Sequence, residues 1–100
     1  MSTNKRWYLI QYDIRNKQRL RKVHKLLSSI SIPIQESVFA WLGTEKELDR
    51  LQQKLKSLIN LYEDDIRGYL IKHPIILYGQ SPFTEDVYFD NYPPYAIKPI

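Results

Sequence analysis

The chain contains no cysteine, so disulfide bonds, thiolate metal sites and thiol catalysis are all excluded. Its amino terminus has no apolar leader and no apolar run reaches transmembrane length, which predicts a soluble, cytoplasmic protein without a membrane partner. Neither a phosphate-binding loop nor a GxGxxG turn occurs, so nothing in the sequence supports a nucleotide cofactor. Repeats and low-complexity blocks are also absent, and a length of 100 residues predicts one domain with a modest core.

Acidic residues are scarce in the first quarter of the chain. From residue 5 to residue 25, eight lysines and arginines accompany one acid, Asp13, so this stretch carries a charge of +7 while the whole chain carries +4. Like charges four residues apart on a helix cost roughly 0.2–0.5 kcal/mol per pair, and no acid offsets them here. We therefore interpret these cations as a phosphate-binding surface, with a merely solvated helix face as the alternative. They form two ridges: Arg15, Arg19 and Lys22, and Lys17, Arg21 and Lys25.

Asp13 directly follows residues 6–12, an aromatic and aliphatic run without helical period that predicts a strand. A carboxylate among cations stays ionised. It is either an acid favoured by the dipole at a helix start, or a ligand for a hard cation such as Mg²⁺. In a twofold dimer with this strand near the axis, Asp13 would meet its symmetry mate, and a Mg²⁺ between the two carboxylates would relieve their repulsion. Spacing alone leaves both interpretations open.

Two helices and several strands are predicted along the first 79 residues. The first helix begins at its N-cap Asn16 and ends near Ser31, and the second begins at a capping box on Thr44 and ends near Asn60. The first buries Leu20, Val23, Leu27 and Ile30, and the second buries Leu48, Leu51, Leu55, Leu58 and Ile59. Predicted strands are 6–12, one or two within 32–42, 66–71 and 75–78. This order predicts an α+β fold with two helices on one face of a mostly antiparallel sheet.

Two helices leave the other sheet face without a cover. The first strand is apolar on both sides, with Trp7 and Leu9 on one side and Tyr8, Ile10 and Tyr12 on the other. We therefore expect a second copy of the chain to cover the open face, which makes the protein a homodimer.

Three further features of the sequence lie outside these patterns. His24 borders the apolar stripe of the first helix, and we interpret it as structural because no metal-ligand spacing surrounds it. Ser37 interrupts an apolar run, which predicts a turn, although its hydroxyl could bind a phosphate or a metal-held water. Residues 80–100 combine aromatic residues with four prolines, so we expect this tail to wrap along the surface of its own subunit or of a partner.

Several short motifs together resemble those of the CRISPR-associated protein two family, the small subunit of the spacer-acquisition machinery. The resemblance covers residues 7 to 79 and implies a ferredoxin-like βαββαβ fold, a homodimer whose sheets face each other, and a tail that adds a strand to the partner subunit. The motifs are Tyr12-Asp13-Ile14, Arg19-x-x-Lys22-Val23-x-x-Leu26-Leu27, Gln35-x-Ser37-Val38-Phe39, the helix at Thr44, and Asp64-Asp65-Ile66-Arg67-x-Tyr69.

The resemblance also implies an activity and partners. Asp13 matches the strand-end aspartate that binds Mg²⁺ at the dimer axis, where some members cleave RNA or double-stranded DNA. The shared role is assembly with the integrase subunit and contact with prespacer DNA. On resemblance and charge together, we assign Asp13 as the catalytic and metal residue and Arg15, Lys17, Arg19 and Lys22 as nucleic-acid contacts.

One departure from the family pattern keeps alternatives open. Members often carry acids just after the aspartate, where this chain has Arg15, Asn16 and Lys17. This difference favours DNA contact over metal binding. The alternatives are a non-catalytic DNA and integrase scaffold, and a toxin-type ribonuclease of the same fold. A small-molecule regulatory domain of this shape is disfavoured by the cationic helix.

Overall fold

A computed structural model describes residues 4–72 and the backbone of two further strands at 75–78 and 95–98. Its elements up to residue 78 follow the predicted order, and the α+β prediction is confirmed. No described helix is long and apolar enough to cross a membrane. The elements are β1 (Arg6–Asp13), α1 (Lys17–Ile30), β2 (Ile32–Gln35), β3 (Val38–Gly43), α2 (Glu45–Leu58), β4 (Asp65–Leu70), β5 (Ile75–Tyr78) and β6 (Tyr95–Lys98).

The first four strands form one antiparallel sheet in the order β2-β3-β1-β4, which with α1 and α2 gives the predicted ferredoxin-like βαββαβ topology. The segment that was predicted as one bent strand or two short ones is two strands, β2 and β3. Strands β5 and β6 pair in parallel as a separate two-stranded sheet. The predicted boundary between residues 79 and 80, and the tail apart from the backbone of β6, lie outside the described residues.

Both helices begin where their capping residues predict. Asn16 Oδ1 accepts hydrogen bonds from the backbone N–H groups of Gln18 (2.9 Å) and Arg19 (3.0 Å). At α2 the Thr44 N–H donates to Glu47 Oε1 at 2.9 Å, and the Glu47 N–H donates to Thr44 Oγ1 at 3.1 Å. These bonds hold the pKa of Glu47 below its usual value, chiefly through the Thr44 backbone donor.

The core lies between the helices and one face of the sheet. Tyr8, Ile10 and Tyr12 of β1 face α1 and α2, as the alternation of the strand predicts. Two residues of the predicted helix face are instead exposed, because Leu20 borders an open groove and Ile30 is the last residue of α1. The other buried residues of this core are Ile14, Val23, Leu27, Phe39, Trp41, Leu51 and Leu55.

The opposite sheet face carries apolar side chains that no described helix covers. In register, Trp7 lies opposite Leu42, and Leu9 lies between Ala40 of β3 and Tyr69 of β4. Trp7 and Leu9 are half-buried, and Tyr69 is 47% exposed. Apolar side chains around Leu9 therefore lie on a sheet face that no described helix covers, as the sequence predicts.

Candidate nucleic-acid and metal site

Asp13 is the exposed last residue of β1, and it lies directly opposite Asp65, the first residue of β4. Two like charges at opposed positions of a strand pair destabilise the pairing. Arg67 offsets one of them, because its Nε donates to Asp65 Oδ2 at 2.9 Å. Alternation along β1 places Asp13 on the same face as Leu9, the face without a covering helix.

These carboxylates suit a hard cation. Mg²⁺ prefers oxygen ligands and is usually held by one or two carboxylates together with waters and phosphate oxygens. The described part of a single chain holds no cluster of three or more histidines and acids that could bind a metal. A Mg²⁺ at Asp13 therefore needs further ligands from water, from phosphate or from a second subunit.

Arg19, one of the four predicted nucleic-acid contacts, is bound within the subunit. Its Nε donates to Asp64 Oδ2 at 2.7 Å, and its Nη2 donates to Asp64 Oδ1 at 3.1 Å and to Glu63 Oε2 at 2.8 Å. The Arg19 side chain is 24% exposed. Its guanidinium is thus held by the turn that joins α2 to β4.

Asp64 is the centre of this turn. The residue belongs to one of the motifs that carry the family resemblance, but the sequence gives no sign of its contacts, because it stands in a run of three acids. Its side chain is closed to solvent. Besides Arg19, it accepts hydrogen bonds from the backbone N–H groups of Arg15 (3.0 Å) and Asn60 (2.9 Å). The Arg19 guanidinium, with these donors, holds the pKa of the Asp64 carboxyl well below its usual range. Asp64 therefore fixes the backbone two residues after Asp13.

The cations from residue 15 to residue 25, apart from Arg19, have no such partner among the described residues. In the described part of the chain, their side chains make neither an ion pair nor a hydrogen bond, and all are exposed. They are therefore free to attract phosphate. They are Arg15, Lys17 and Lys22, which the charge pattern predicts as contacts, and Arg21 and Lys25.

A groove of about 530 Å³ runs between α1 and the turn that joins β2 to β3. Tyr12 shapes its wall, because its hydroxyl lies 3.0 Å from His24 Nδ1 and donates to the Glu36 carbonyl at 3.3 Å. Its backbone N–H also donates to the Ser37 carbonyl at 3.1 Å. Burial raises the pKa of Tyr12, with help from the charge of Glu36. The groove is lined by Tyr12, Asp13, Ile14, Leu20, Arg21, His24, Lys25, Glu36 and Ser37.

His24 therefore has a position that the sequence did not suggest. The edge of its ring packs on Phe39, with 5.6 Å between centroids and 65° between planes. Its Nδ1 faces Tyr12, while the ring lines the groove beside Asp13. The predicted structural role agrees with these contacts, yet the same contacts place a polar ring in the candidate site.

The sequence matches one protein family over more than half of its length. The family model described as CRISPR associated protein Cas2 matches residues 6–74. A Thermus thermophilus protein named CRISPR-associated endonuclease Cas2 2 is 32% identical over 81 residues, which are 81% of this chain and 90% of that protein. A Nitrosomonas europaea protein named CRISPR-associated endoribonuclease Cas2 1 is 36% identical over 62 residues, which are 62% of this chain but only 59% of that protein.

Solved structures share the fold. A hypothetical protein from Thermus thermophilus superimposes with a TM-score of 0.75 at 31% identity, covering 80% of this chain and 98% of that one. The Cas2 structure from Streptococcus pyogenes gives a TM-score of 0.60 at 32% identity, covering 64% of this chain and 83% of that one. The resemblance inferred from motif order is confirmed.

Proposed function

This chain belongs to the family of CRISPR-associated protein Cas2, and we propose that it serves in spacer acquisition as a dimer that binds double-stranded DNA together with the integrase subunit. The observation that carries the proposal is the start of α1. Exposed cations whose side chains have no partner among the described residues begin two residues after Asp13, and of the cations from residue 15 to residue 25 only Arg19 is bound within the subunit. Such a surface attracts a phosphate backbone and gives binding that weakens steeply with salt.

The open sheet face supports the dimer. Trp7 and Leu9 are half-buried within one subunit, and a second copy laid on this face would remove them from water. Because Asp13 belongs to the same face, a twofold axis near the end of β1 would bring the two Asp13 carboxylates together. In this proposal the tail at residues 80–100 packs on the partner subunit while its strand β6 stays paired with β5 of the domain formed by residues 1–79.

Hydrolysis of a phosphodiester bond is the proposed activity, with RNA or double-stranded DNA as substrate. Relatives are named both endoribonuclease and endonuclease, which supports the reaction class. Asp13 of both subunits would hold Mg²⁺, and Asp65 stands beside it as a second carboxylate. Bound Mg²⁺ supplies an activated water and stabilises charge on the phosphate. The chain's own cations, Arg15, Lys17 and Lys22, hold the phosphate backbone at the site.

The test is Asp13→Asn in the full-length dimer. It removes the carboxylate with almost no change in size, so Mg²⁺-dependent cleavage of RNA and duplex DNA should disappear. Dimerisation and duplex affinity should remain, since Asp13 is exposed and is not a cation. Asp49→Asn, an exposed acid on α2, is the matched control and should cleave normally. Cleavage that survives Asp13→Asn would remove the catalytic assignment.

A non-catalytic scaffold is the second candidate. It is favoured by Arg15 and Lys17, which place cations immediately after Asp13, and by the lack of a three-ligand cluster in the described part of one subunit. Highly purified protein that binds duplex DNA with a steep salt dependence, but shows no Mg²⁺-stimulated cleavage, would identify this role.

A further inference from the structure

We propose that the groove between α1 and the β2–β3 turn is a phosphate subsite, in which Arg21 and Lys25 bind one phosphodiester group of the strand that passes Asp13. The inference rests on the proposed nucleic-acid function and adds the path of the strand. The sequence pattern sorts the cations of this segment into two ridges but does not show which of them line a groove with Asp13. The structure separates them into two sides of the helix.

The two sides follow from the buried residue Val23. Successive residues of an α-helix turn by about 100°, so Lys22 and His24 project to opposite sides of Val23. His24 lines the groove together with Arg21 and Lys25, whereas Lys22 does not. Arg19 does not line it either, because its guanidinium is bound by Asp64 and Glu63.

Arg21 and Lys25 are well placed for one anion. They lie four residues apart on α1, so they are neighbours on its surface. Neither forms an ion pair with any other residue from 4 to 72. Both line a groove that also contains Asp13, and its volume of about 530 Å³ is ample for a phosphate with its sugar. A strand held there passes the end of β1, where Asp13 also lines the groove.

His24 lies in the wall of the groove and makes two side-chain contacts within the subunit. Its ring is held between the hydroxyl of Tyr12 at 3.0 Å and the face of Phe39. The turn on the far side is tied to β1, because the Tyr12 N–H donates to the Ser37 carbonyl. The shape of the subsite is thus set by β1 before any ligand arrives, which limits the ordering cost of binding.

Two acids, Asp13 and Glu36, also line the groove. Asp13 is neutralised when it holds a cation. Glu36 has no ion-pair partner among the described residues and faces the same space. It must therefore repel a phosphate bound by Arg21 and Lys25, so its removal should strengthen binding rather than weaken it.

The experiment measures fluorescence anisotropy of a labelled duplex with the full-length dimer across a series of salt concentrations. The double variant Arg21→Ala/Lys25→Ala should weaken affinity about tenfold near 0.1 M salt. The slope of log affinity against log salt should become shallower by the amount expected for the loss of roughly one phosphate contact or more. Lys46→Ala/Lys54→Ala removes the same charge from exposed positions on α2 and should change affinity less than about threefold. Glu36→Gln should tighten binding.

The outcomes separate this inference from the function it rests on. Equal weakening by the two double variants means that only net charge matters, and the subsite is then wrong while duplex binding stands. A weaker Glu36→Gln complex also contradicts the subsite. If the unmodified dimer shows no salt-dependent duplex binding, the proposed function and the subsite both fail. Melting curves of the variants should match those of the unmodified protein, because Arg21, Lys25 and Glu36 are exposed.

Discussion

Arg19 holds the carboxylate of Asp64 with two of its nitrogens, Nε at 2.7 Å from Oδ2 and Nη2 at 3.1 Å from Oδ1. Paired N–H donors on one carboxylate are among the strongest hydrogen-bond arrangements in proteins. Because Asp64 also accepts the N–H of Arg15, the contact ties the α2–β4 turn to the start of the cationic helix. An arginine that the charge pattern assigns to nucleic acid therefore has a structural role.

Replacement of Asp64 by Ala should lower the free energy of unfolding by about 1–3 kcal/mol. The change removes a buried hydrogen-bond acceptor, so the backbone N–H groups of Arg15 and Asn60 lose their partner. Urea denaturation followed by circular dichroism measures the effect. Asp49→Ala, at an exposed position of α2, should change stability by less than about 0.5 kcal/mol. Equal losses in the two variants would show that Asp64 makes no special contact.

Acid should destabilise the protein partly through Asp64. Its pKa in the folded chain is well below the value of about 3.9 in the unfolded chain, so the unfolded state binds a proton first as the pH falls. The contribution is complete above about pH 5 and is lost progressively below about pH 4. Asp64→Asn cannot titrate, so its unfolding free energy should fall less steeply than that of the unmodified protein between about pH 4 and pH 2. Parallel curves for the two proteins would contradict the assignment.

Arg19 and Lys22 should separate stability from DNA affinity. Arg19→Ala breaks the contacts with Asp64 and Glu63, so it should lower the melting temperature. Lys22→Ala removes an exposed cation without a described partner, so it should leave melting unchanged and weaken duplex binding with a shallower salt dependence. Thermal melts and anisotropy on both variants test the distinction. The reverse result, a stable Arg19→Ala protein that binds poorly, would return Arg19 to the nucleic-acid surface.

These residues also show what a sequence can and cannot predict. Asn16 and Thr44 were identifiable because a cap bonds to backbone groups two or three positions away. The contacts of Arg19 with Asp64, and of Asp13 with Asp65, depend on the pairing of β1 with β4, which joins distant parts of the chain. No local pattern encodes which partner an arginine will find. Charge counting therefore located the cationic surface, but it could not show which of its cations is bound within the subunit.

The open sheet face provides the final prediction. Leu9 lies half-buried between Ala40 and Tyr69, on the side of the sheet opposite the helices. Leu9→Glu should leave the subunit folded, because the core lies on the other face, but it would bury a carboxylate in the proposed dimer contact without a partner. Light scattering coupled to size exclusion should then show a monomer with native circular dichroism. Leu61→Glu makes the same change at a residue that is 69% exposed outside this face and should remain dimeric. A dimeric Leu9→Glu protein would mean that the subunits meet through another surface.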